Sequence, residues 1–375
     1  MRDLIVFGED FGGLPSSTQH LVTRLAKQRK VLWVNSIGLR QPKLTTHDIK
    51  RAANKLLGRS KGGFNQNQTQ NQGHDSNITV VNLKTIPAPR SWFARQLAKA
   101  MICSQLKPVI EKLKLHKPIL WSSLPTTADL CGTLGESAVV YYCGDDFSSL
   151  AGVDHNTGAV HEHKLVEQAD LILAASAKLV TKFPQTKTHY LPHGVDTKLF
   201  STPAKRADDL PSCENKIAGF YGSLSNWLDY KLIEQVCLAN PSWQFVFIGP
   251  IELATNPLPD LPNVHYLGPK PHSDLPSYSQ HWDVSLLPFK SNGQIASCSP
   301  LKLLEYLAAG SQVIATPFPA LSPYRDRVYV VSNTAQLNQT LKEIERGSST
   351  EKQHSLAAES WDARTLTLNR MLESL

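Results

Sequence analysis

The stretch Ser299–Thr316, S-P-L-K-L-L-E-Y-L-A-A-G-S-Q-V-I-A-T, contains a helix start, a helix end and a buried strand in one short segment. Ser299 is a favourable N-cap residue, and Pro300 suits the first helical position, where its missing N–H would have no partner. Gly310 predicts the end of the helix, and the apolar residues 313–315 predict a buried strand. The segment is therefore typical of a helix that leads directly into a strand of a parallel sheet.

This predicted helix carries Lys302 in its first turn and Glu305 one turn further along, on the same face. One interpretation is a surface ion pair, which would stabilise the helix by only about 0.2–0.5 kcal/mol. The other is an anion site at the positively polarised helix start, with a carboxylate beside it that binds hydroxyl groups. The stretch alone leaves both interpretations open.

Apolar strand candidates alternate with helical patterns along nearly the whole chain, which predicts βαβ units and parallel sheets. The strand candidates are Leu4–Phe7, Val31–Val34, Ile78–Leu83, Ile119–Trp121, Val139–Tyr142, Leu171–Ala174 and Tyr190–Leu191, then Ala218–Tyr221, Phe245–Ile248, Val264–Tyr266, Val284–Leu287, Val313–Ala315 and Val328–Val331. The helical patterns include Thr18–Gln28, His161–Gln168, Asp229–Ala239, Leu301–Ala309 and Thr334–Glu345. We therefore predict an α/β fold with two parallel-sheet domains and a cleft between them, where ligands bind beyond the carboxyl ends of the strands.

The length of 375 residues also favours two domains, because single hydrophobic cores stop growing at about 250–300 residues. We predict a Rossmann-like domain over residues 1–200, a polar linker over 201–216, a second Rossmann-like domain over 217–357 and a last helix over 358–375. Residues 62–77 are rich in glutamine and asparagine and are predicted to form a loop.

Composition points to an ordinary globular chain, with 41% hydrophobic and 19% charged residues. We expect no membrane span and no signal peptide, because no apolar run approaches the required length. The 6 cysteines are scattered without metal-ligand spacing, so we expect a cytoplasmic protein without a bound metal. The net charge of +7 fits an anionic partner.

Much of the positive charge lies in residues 50–61 and 90–117. In the second stretch apolar and basic residues alternate at helical spacing: Trp92, Phe93, Leu97, Ile102 and Leu106 with Arg95, Lys99 and Lys107. One interpretation is a peripheral helix on an anionic membrane surface. The other is a core-facing helix with a solvated basic back.

Several loops that follow predicted strands carry residues suited to a ligand site. Gly12 and Gly13 follow the first strand and permit close backbone approach, Ser16 or Ser17 can cap the next helix, and His20 lies on that helix. No dinucleotide fingerprint or P-loop is present there.

Another strand ends in adjacent carboxylates, Asp145 and Asp146, of which one can accept a proton from an acceptor hydroxyl while the other caps a turn. Which aspartate has which role stays open. In L-P-H-G-V-D-T-K-L-F, residues 191–200, His193 is either a cleft residue or a support for the turn at Gly194.

In the second half, Gly222 with Ser223, and then Gly249, stand between a predicted strand and a predicted helix. Glycine turns of this kind expose backbone N–H groups that hold phosphate at a helix start. With the loop before Ser299, they predict three turns that converge on a nucleotide.

These segments together resemble a GT-B glycosyltransferase of the family 4 type, as in bacterial exopolysaccharide or cell-wall glycan assembly. The motifs occur in the family's order: G-F-Y-G-S-L-S-N-W-L-D at 219–229, W-Q-F-V-F-I-G-P at 243–250, N-V-H-Y-L-G at 263–268, W-D-V-S-L-L-P-F at 282–289 and S-P-L-K-L-L-E-Y-L-A-A-G at 299–310. The segment 191–200 is similar to the family's Pro-Asn-Gly-Val-Asp motif, and S-W-D-A-R at 360–364 is similar to a tail that crosses back onto the first domain.

The resemblance implies a GT-B fold whose second domain holds a nucleotide-sugar donor and whose first domain binds a glycan or lipid-linked acceptor. Glu305 would bind the donor ribose, and Ser299 and Lys302 would lie against the diphosphate. Transfer of a hexose would need no bound metal and no other cofactor, and no nucleic acid partner is implied. Acceptor-side residues would include Gly12, Gly13, His20 and His193.

The chain departs from the family pattern where many members carry a first glutamate, because Ser297 stands eight residues before Glu305. The identity of the sugar and the stereochemistry of transfer are therefore open. Two alternatives to a transferase are a nucleotide-sugar epimerase and an inactive module that binds sugars or glycolipids.

Overall fold

The computed structural model describes residues 1–13, 15–36, 77–86, 91–147, 155–212, 214–345 and 355–375. The predicted loop at 62–77 and the basic segment at 50–61 lie outside the described residues, apart from Asn77. The chain forms two compact units, one made of Met1–Leu191 with Thr365–Leu375 and one made of Pro192–Arg364.

The first unit is built on a seven-stranded parallel sheet with the order β3-β2-β1-β4-β5-β6-β7. Its strands are β1 (Leu4–Phe7), β2 (Val31–Val34), β3 (Ile78–Val81), β4 (Ile119–Ser122), β5 (Ala138–Cys143), β6 (Leu171–Ala174) and β7 (Thr188–Tyr190). Its helices are α1 (Ser17–Leu25), α2 (Trp92–Leu113), α3 (His155–Gln168) and α4 (Ala177–Lys182). The central strands are buried along their whole length, as expected for a parallel sheet covered by helices on both faces.

The second unit is built on a six-stranded parallel sheet with the order β10-β9-β8-β11-β12-β13. Its strands are β8 (Lys216–Tyr221), β9 (Trp243–Ile248), β10 (Val264–Tyr266), β11 (Val284–Leu287), β12 (Gln312–Ala315) and β13 (Tyr329–Val330). Its helices are α5 (Thr197–Ser201), α6 (Tyr230–Ala239), α7 (Pro276–Ser279), α8 (Gly293–Ser297), α9 (Leu301–Ala308) and α10 (Thr334–Glu345), and the last helix, α11, spans Trp361–Glu373.

Strand β8 shows why this sheet is covered on both faces. Ile217 and Tyr221 belong to one hydrophobic core, whereas Ala218 and Phe220 belong to the core on the opposite face. Between them, Gly219 leaves room for the ring of Trp282, since a Cβ at this position would lie 1.8 Å from the ring. The parallel sheet that we predicted from the alternation of strand and helix patterns is therefore confirmed.

The predicted linker at 201–216 lies inside the second unit, because the boundary between the units falls between Leu191 and Pro192. Its polar residues are fastened to α7 and the loop before it: Asp209 accepts hydrogen bonds from Lys270 (2.6 Å) and the Tyr278 hydroxyl (2.8 Å). Leu210 is buried in the core. Polar composition here reflects hydrogen bonding to neighbouring elements.

Helix α2 of the basic stretch is buried in its middle turns and exposed at its start. Ile102 and Leu106 are buried in the core of the first unit, so their assignment to a membrane-facing surface was wrong. Trp92, Phe93 and Leu97 are 65%, 79% and 55% exposed. The helix is therefore anchored by its later turns and exposes a cluster of large apolar side chains at its start.

Candidate functional site

Two glycines at the ends of adjacent strands bring three segments of the second unit into close contact. Gly222 follows β8 with φ 139°, and Gly249 follows β9 with φ 136°, a region that favours glycine. A Cβ on Gly249 would lie 2.1 Å from the carbonyl oxygen of Gly222. A Cβ on Gly222 would lie 2.1 Å from Cε of Lys302. Both positions therefore need glycine, and the side chain of Lys302 lies directly against the first of them.

Lys302 is held at the start of α9 by an aromatic neighbour as well as by Gly222. Its Nζ lies 5.2 Å from the centre of the Trp227 ring, within the range of a cation–π interaction. The lysine side chain is thus placed at the carboxyl edge of the sheet by Gly222 on one side and Trp227 on the other. The structure thus brings Lys302 and the Gly222 turn, two of the predicted donor-side groups, into contact.

The start of α9 differs from the expected cap. Pro300 occupies the N-cap position and no side chain caps the helix, so the assignment of Ser299 as N-cap was wrong. Ser299 Oγ instead accepts a hydrogen bond from the backbone N–H of His193 at 3.2 Å. The serine hydroxyl thereby ties the segment 191–200 to the approach of α9.

His193 belongs to the second unit, near Lys302 and Trp361. Burial, and then the positive charge of Lys302, lowers the pKa of His193 to about 4. The imidazole is therefore neutral at physiological pH, with one nitrogen as donor and the other as acceptor. Its surroundings group it with Ser299 and Lys302, whereas the sequence grouped it with the first domain.

Glu305 is buried, with 4% of its surface exposed, and it has a partner that the sequence did not reveal. His272, in a short 3-10 turn after β10, lies with Nε2 2.8 Å from Glu305 Oε1. The hydroxyl of Tyr221 is buried near this carboxylate. Burial and the nearby charge of Glu305 raise the pKa of this tyrosine well above its usual range. The only sequence signal for His272 is a polar residue in a loop that follows a strand.

Ser297 and the two glycine loops are shaped mainly by contacts within the unit. Ser297 is buried and donates its hydroxyl to the carbonyl of Gly293 at 3.0 Å. Ser223 is half-buried and precedes Leu224, whose backbone pairs with Pro250 (2.9 Å) and Glu252 (3.1 Å). The glycine loops are thus hydrogen-bonded to each other.

The two glycine loops lead to different kinds of element. The helix after Gly222 begins at Tyr230, next to the predicted start at Asp229, and Asp229 caps it by accepting a hydrogen bond from the N–H of Leu232 at 3.1 Å. The loop after Gly249 leads to strand β10 without an intervening helix. The expectation of a helix directly after Gly249 was therefore wrong, whereas the helix after Gly222 lies where its pattern predicted it.

In the first unit, Gly12 and Gly13 form a turn next to α1. Gly12 has φ 77° and donates its N–H to the side chain of Gln19 at 3.0 Å, and Gly13 donates to the carbonyl of Asp10 at 3.1 Å. Ser16 caps α1, as the sequence predicts, and His20 is half-buried on that helix. The turn is thus built from local hydrogen bonds at the carboxyl end of β1.

The two aspartates after β5 have different surroundings. Asp146 accepts a hydrogen bond from Lys182 Nζ at 2.9 Å, and the same ammonium lies 2.8 Å from the buried Glu162. Asp145 is exposed, and its backbone carbonyl accepts from the thiol of Cys143. Asp146 is therefore anchored to α4 and α3 by an ion-pair network, and Asp145 is the more exposed of the two aspartates.

Two further findings concern the described residues only. Among residues 1–13, 15–36, 77–86, 91–147, 155–212, 214–345 and 355–375, no group of three or more His, Cys, Asp or Glu side chains has the arrangement of a metal site. In that same part of the chain, no helix has the combined length and apolar character that crossing a bilayer requires.

Comparison with known proteins agrees with this geometry. Residues 215–344, which include the glycine loops and α9, match the family model described as glycosyl transferases group 1. The chain is 28% identical over 243 residues to the putative teichuronic acid biosynthesis glycosyltransferase TuaH of Bacillus subtilis, covering 58% of this chain. The match spans 61% of the length of that curated relative.

Solved structures with the same fold cover the whole chain. HepE of Anabaena, in complex with UDP and glucose, has a TM-score of 0.70 at 13% identity, with 100% of both chains covered. HepE with UDP-glucose has a TM-score of 0.69 at 13% identity, again over 100% of both chains. Sucrose-phosphate synthase of Thermosynechococcus elongatus has a TM-score of 0.64 at 14% identity, over 100% of this chain and 99% of that one. The chain therefore has the GT-B fold, and residues 215–344 of its second unit are similar to group 1 glycosyl transferases.

Proposed function

We propose that the protein is a glycosyltransferase of polysaccharide synthesis that moves a hexose from a nucleotide-diphosphate sugar to a glycan or lipid-linked acceptor. The observation that carries this proposal is the position of Lys302, which lies against Gly222 at the start of α9 within the matched segment 215–344. The solved HepE structures contain UDP and UDP-glucose, which supports a uridine nucleotide as the first donor to test.

In this proposal the second unit stabilises the leaving nucleotide. As the glycosidic bond to the diphosphate breaks, negative charge develops on the leaving oxygen. The ammonium of Lys302 and the partial positive charge at the start of α9 offset that charge, in a role that a divalent metal fills in other transferases. We therefore include metal independence in the proposal. Glu305 accepts hydrogen bonds from the ribose diol, and neutral His193 offers a donor to a sugar hydroxyl.

The first unit binds the acceptor in this proposal, and Asp145 is the preferred proton acceptor there. A general base needs a carboxylate that can reach the acceptor hydroxyl. Asp146 accepts a hydrogen bond from Lys182, which also contacts Glu162. We therefore assign Asp146 the role of holding the loop after β5 in place. Asp145 is exposed at the end of β5 and suits the catalytic role. This role applies if the transfer inverts the anomeric configuration.

Release of nucleoside diphosphate from candidate nucleotide sugars tests the proposal, with UDP-glucose as the first substrate and EDTA present in a parallel assay. We expect UDP release in both assays, and a loss of at least about 100-fold for Lys302→Ala, because removal of a group that stabilises developing charge costs about this much. The matched control is Lys342→Ala, which removes an exposed lysine on α10 of the same unit. Conversion of the sugar without UDP release would instead identify an epimerase, and binding without turnover would identify an inactive module. Equal turnover in the Lys302 and Lys342 variants would contradict the role of Lys302.

The exposed start of α2 supports a membrane contact as a second part of the proposal. Trp92 and Phe93 pack edge to face at 5.0 Å and, with Leu97, remain largely exposed. Aromatic side chains of this kind favour the lipid–water interface, and the lysines of helix α2, Lys99, Lys107 and Lys112, suit anionic headgroups. A lipid-linked acceptor would be reached from such a surface.

Sedimentation with vesicles tests the membrane contact. We expect binding to anionic phosphatidylglycerol vesicles to fall several-fold in the double variant Trp92→Ala and Phe93→Ala, since two interfacial side chains are lost. The matched control is Leu238→Ala, which removes an apolar side chain that is 59% exposed on α6 of the other unit. Unchanged sedimentation of the double variant would remove the membrane from the proposal.

A further inference from the structure

The carboxylate of Glu305 is held by a histidine from a distant part of the second unit. His272 Nε2 lies 2.8 Å from Glu305 Oε1, and the side chains are 25% and 5% exposed, respectively. A carboxylate with so little solvent around it needs hydrogen bonds to remain charged at low cost. The imidazole of His272 is hydrogen-bonded to the Glu305 carboxylate. The histidine therefore holds one of the Glu305 oxygens, and the Tyr221 hydroxyl lies near the same carboxylate.

The surroundings of His272 favour its charged form. Burial lowers its pKa, but the hydrogen bond and charge of Glu305 from α9, together with the charge of Asp196 before α5, raise it by more, so the pKa lies above its usual value. The ring of Phe200 packs edge to face on the imidazole at 5.4 Å and limits its movement. A charged imidazole holds a carboxylate more strongly than a neutral one does.

We propose that His272 is a positioning residue for nucleotide binding, which holds the Glu305 carboxylate in the orientation that accepts the ribose diol. This inference rests on the proposed function, because it takes Glu305 as the ribose-binding group. The imidazole acts through the carboxylate. It makes no bond to the transferred sugar, so its loss weakens donor binding more than it slows the chemical step.

Calorimetric titration with UDP between pH 6.5 and 9 tests the inference. A histidine pKa that is raised in the folded protein gives a contact that is strongest below the pKa and weakens as the pH rises through it. We expect the UDP affinity of the unaltered protein to fall about three- to tenfold across this range.

His272→Gln retains a hydrogen-bond donor without a titrating group, so its affinity should vary less with pH. His272→Leu should bind UDP at least about tenfold more weakly at pH 6.5, since the buried carboxylate loses its partner. In turnover assays this variant should raise KM for the donor more than it lowers kcat.

The matched control is His265→Gln, which replaces another half-buried histidine of the same unit, paired with Gln244. It should follow the pH dependence of the unaltered protein. Proton uptake on UDP binding, measured on the unaltered protein in two buffers of different ionisation enthalpy, tests the inference even if the His272 variants unfold. If Glu305→Gln weakens UDP binding but both His272 variants bind like the unaltered protein, the inference is overturned and the proposed function stands. If the unaltered protein binds no nucleoside diphosphate, both are overturned.

Discussion

At the scale of single residues, the contact between Gly222 and Lys302 leaves no room for a side chain at position 222. Gly222 has φ 139°, and any side chain there would meet Cε of Lys302. The glycine therefore gives the lysine its position, in addition to allowing an unusual backbone conformation. In the folded chain these two residues are in contact, whereas in the sequence they belong to separate motifs.

Substitution Gly222→Ala tests this contact. The added methyl group would displace Lys302, and the backbone conformation would cost about 1–3 kcal/mol. We expect UDP release from the donor sugar to fall at least about tenfold, with a modest decrease in Tm. The matched control is Gly310→Ala, which places a methyl group at another positive φ of 77° with nothing within 4 Å. Equal activity of the two variants would mean that the lysine position does not depend on Gly222.

Residues of the site differ in how far the sequence predicts them. Lys302 and Glu305 are three positions apart on one helix, so their spacing alone groups them. His272 and Glu305 are separated by 33 positions, and only the folded chain brings them together. Asp145 and Asp146 are adjacent, yet the ion pair with Lys182 that distinguishes them comes from a helix 36 positions away. Helical periodicity therefore predicts that Lys302 and Glu305 share a face. It does not predict contacts between residues that are far apart in the sequence.

At the scale of elements, a carboxylate joins the exposed helix α2 to helix α3. Asp129 lies 2.5 Å from Arg95 of α2 and 2.6 Å from Lys164 of α3, and its side chain is 14% exposed. Burial raises the pKa of Asp129, but the hydrogen bonds and charges of the two cations lower it by more, to about 2. Helices α2 and α3 are therefore linked by the Asp129 carboxylate, which lies between the cations of Arg95 and Lys164.

The stability of the first unit should depend on Asp129 in a pH-dependent manner. A carboxylate with a lowered pKa stabilises the fold above its unfolded value of 3.8, and this stabilisation is lost as the pH falls through about 2. We expect Asp129→Asn to lower the free energy of unfolding by about 2 kcal/mol at pH 7, with a difference that shrinks below pH 4. Urea unfolding at pH 7 and pH 3 measures this. A constant difference at both values would contradict the charged role of Asp129.

The elements also show where sequence patterns are informative. The strand β8 and the helix α9 lie within a residue or two of their predicted bounds, because burial on both faces and helical periodicity leave strong patterns. The loop after Gly249 misled the prediction, because a glycine after a strand is compatible with a path to a helix or, as here, to the next strand. The N-cap of α6 by Asp229 is visible only in the folded chain.

At the scale of the whole molecule, the alternation of strands and helices predicted the α/β class and both parallel sheets. The unit boundary was harder to place, because residues 201–216 are polar and contain prolines yet make ordered contacts with the rest of the second unit. The last helix begins in the second unit, and its residues from Thr365 onward belong to the first. There, Arg29 bonds to Glu373 at 3.2 Å and to Asn369, contacts that no local pattern predicts.

A crystal structure of the protein with UDP would show whether the nucleotide binds at the start of α9, because it locates the diphosphate relative to Lys302. We predict a phosphate oxygen within hydrogen-bond distance of Lys302 Nζ and the ribose hydroxyls on Glu305. A nucleotide bound away from the start of α9, with Lys302 still lying against Trp227 and making no contact with phosphate, would contradict this prediction.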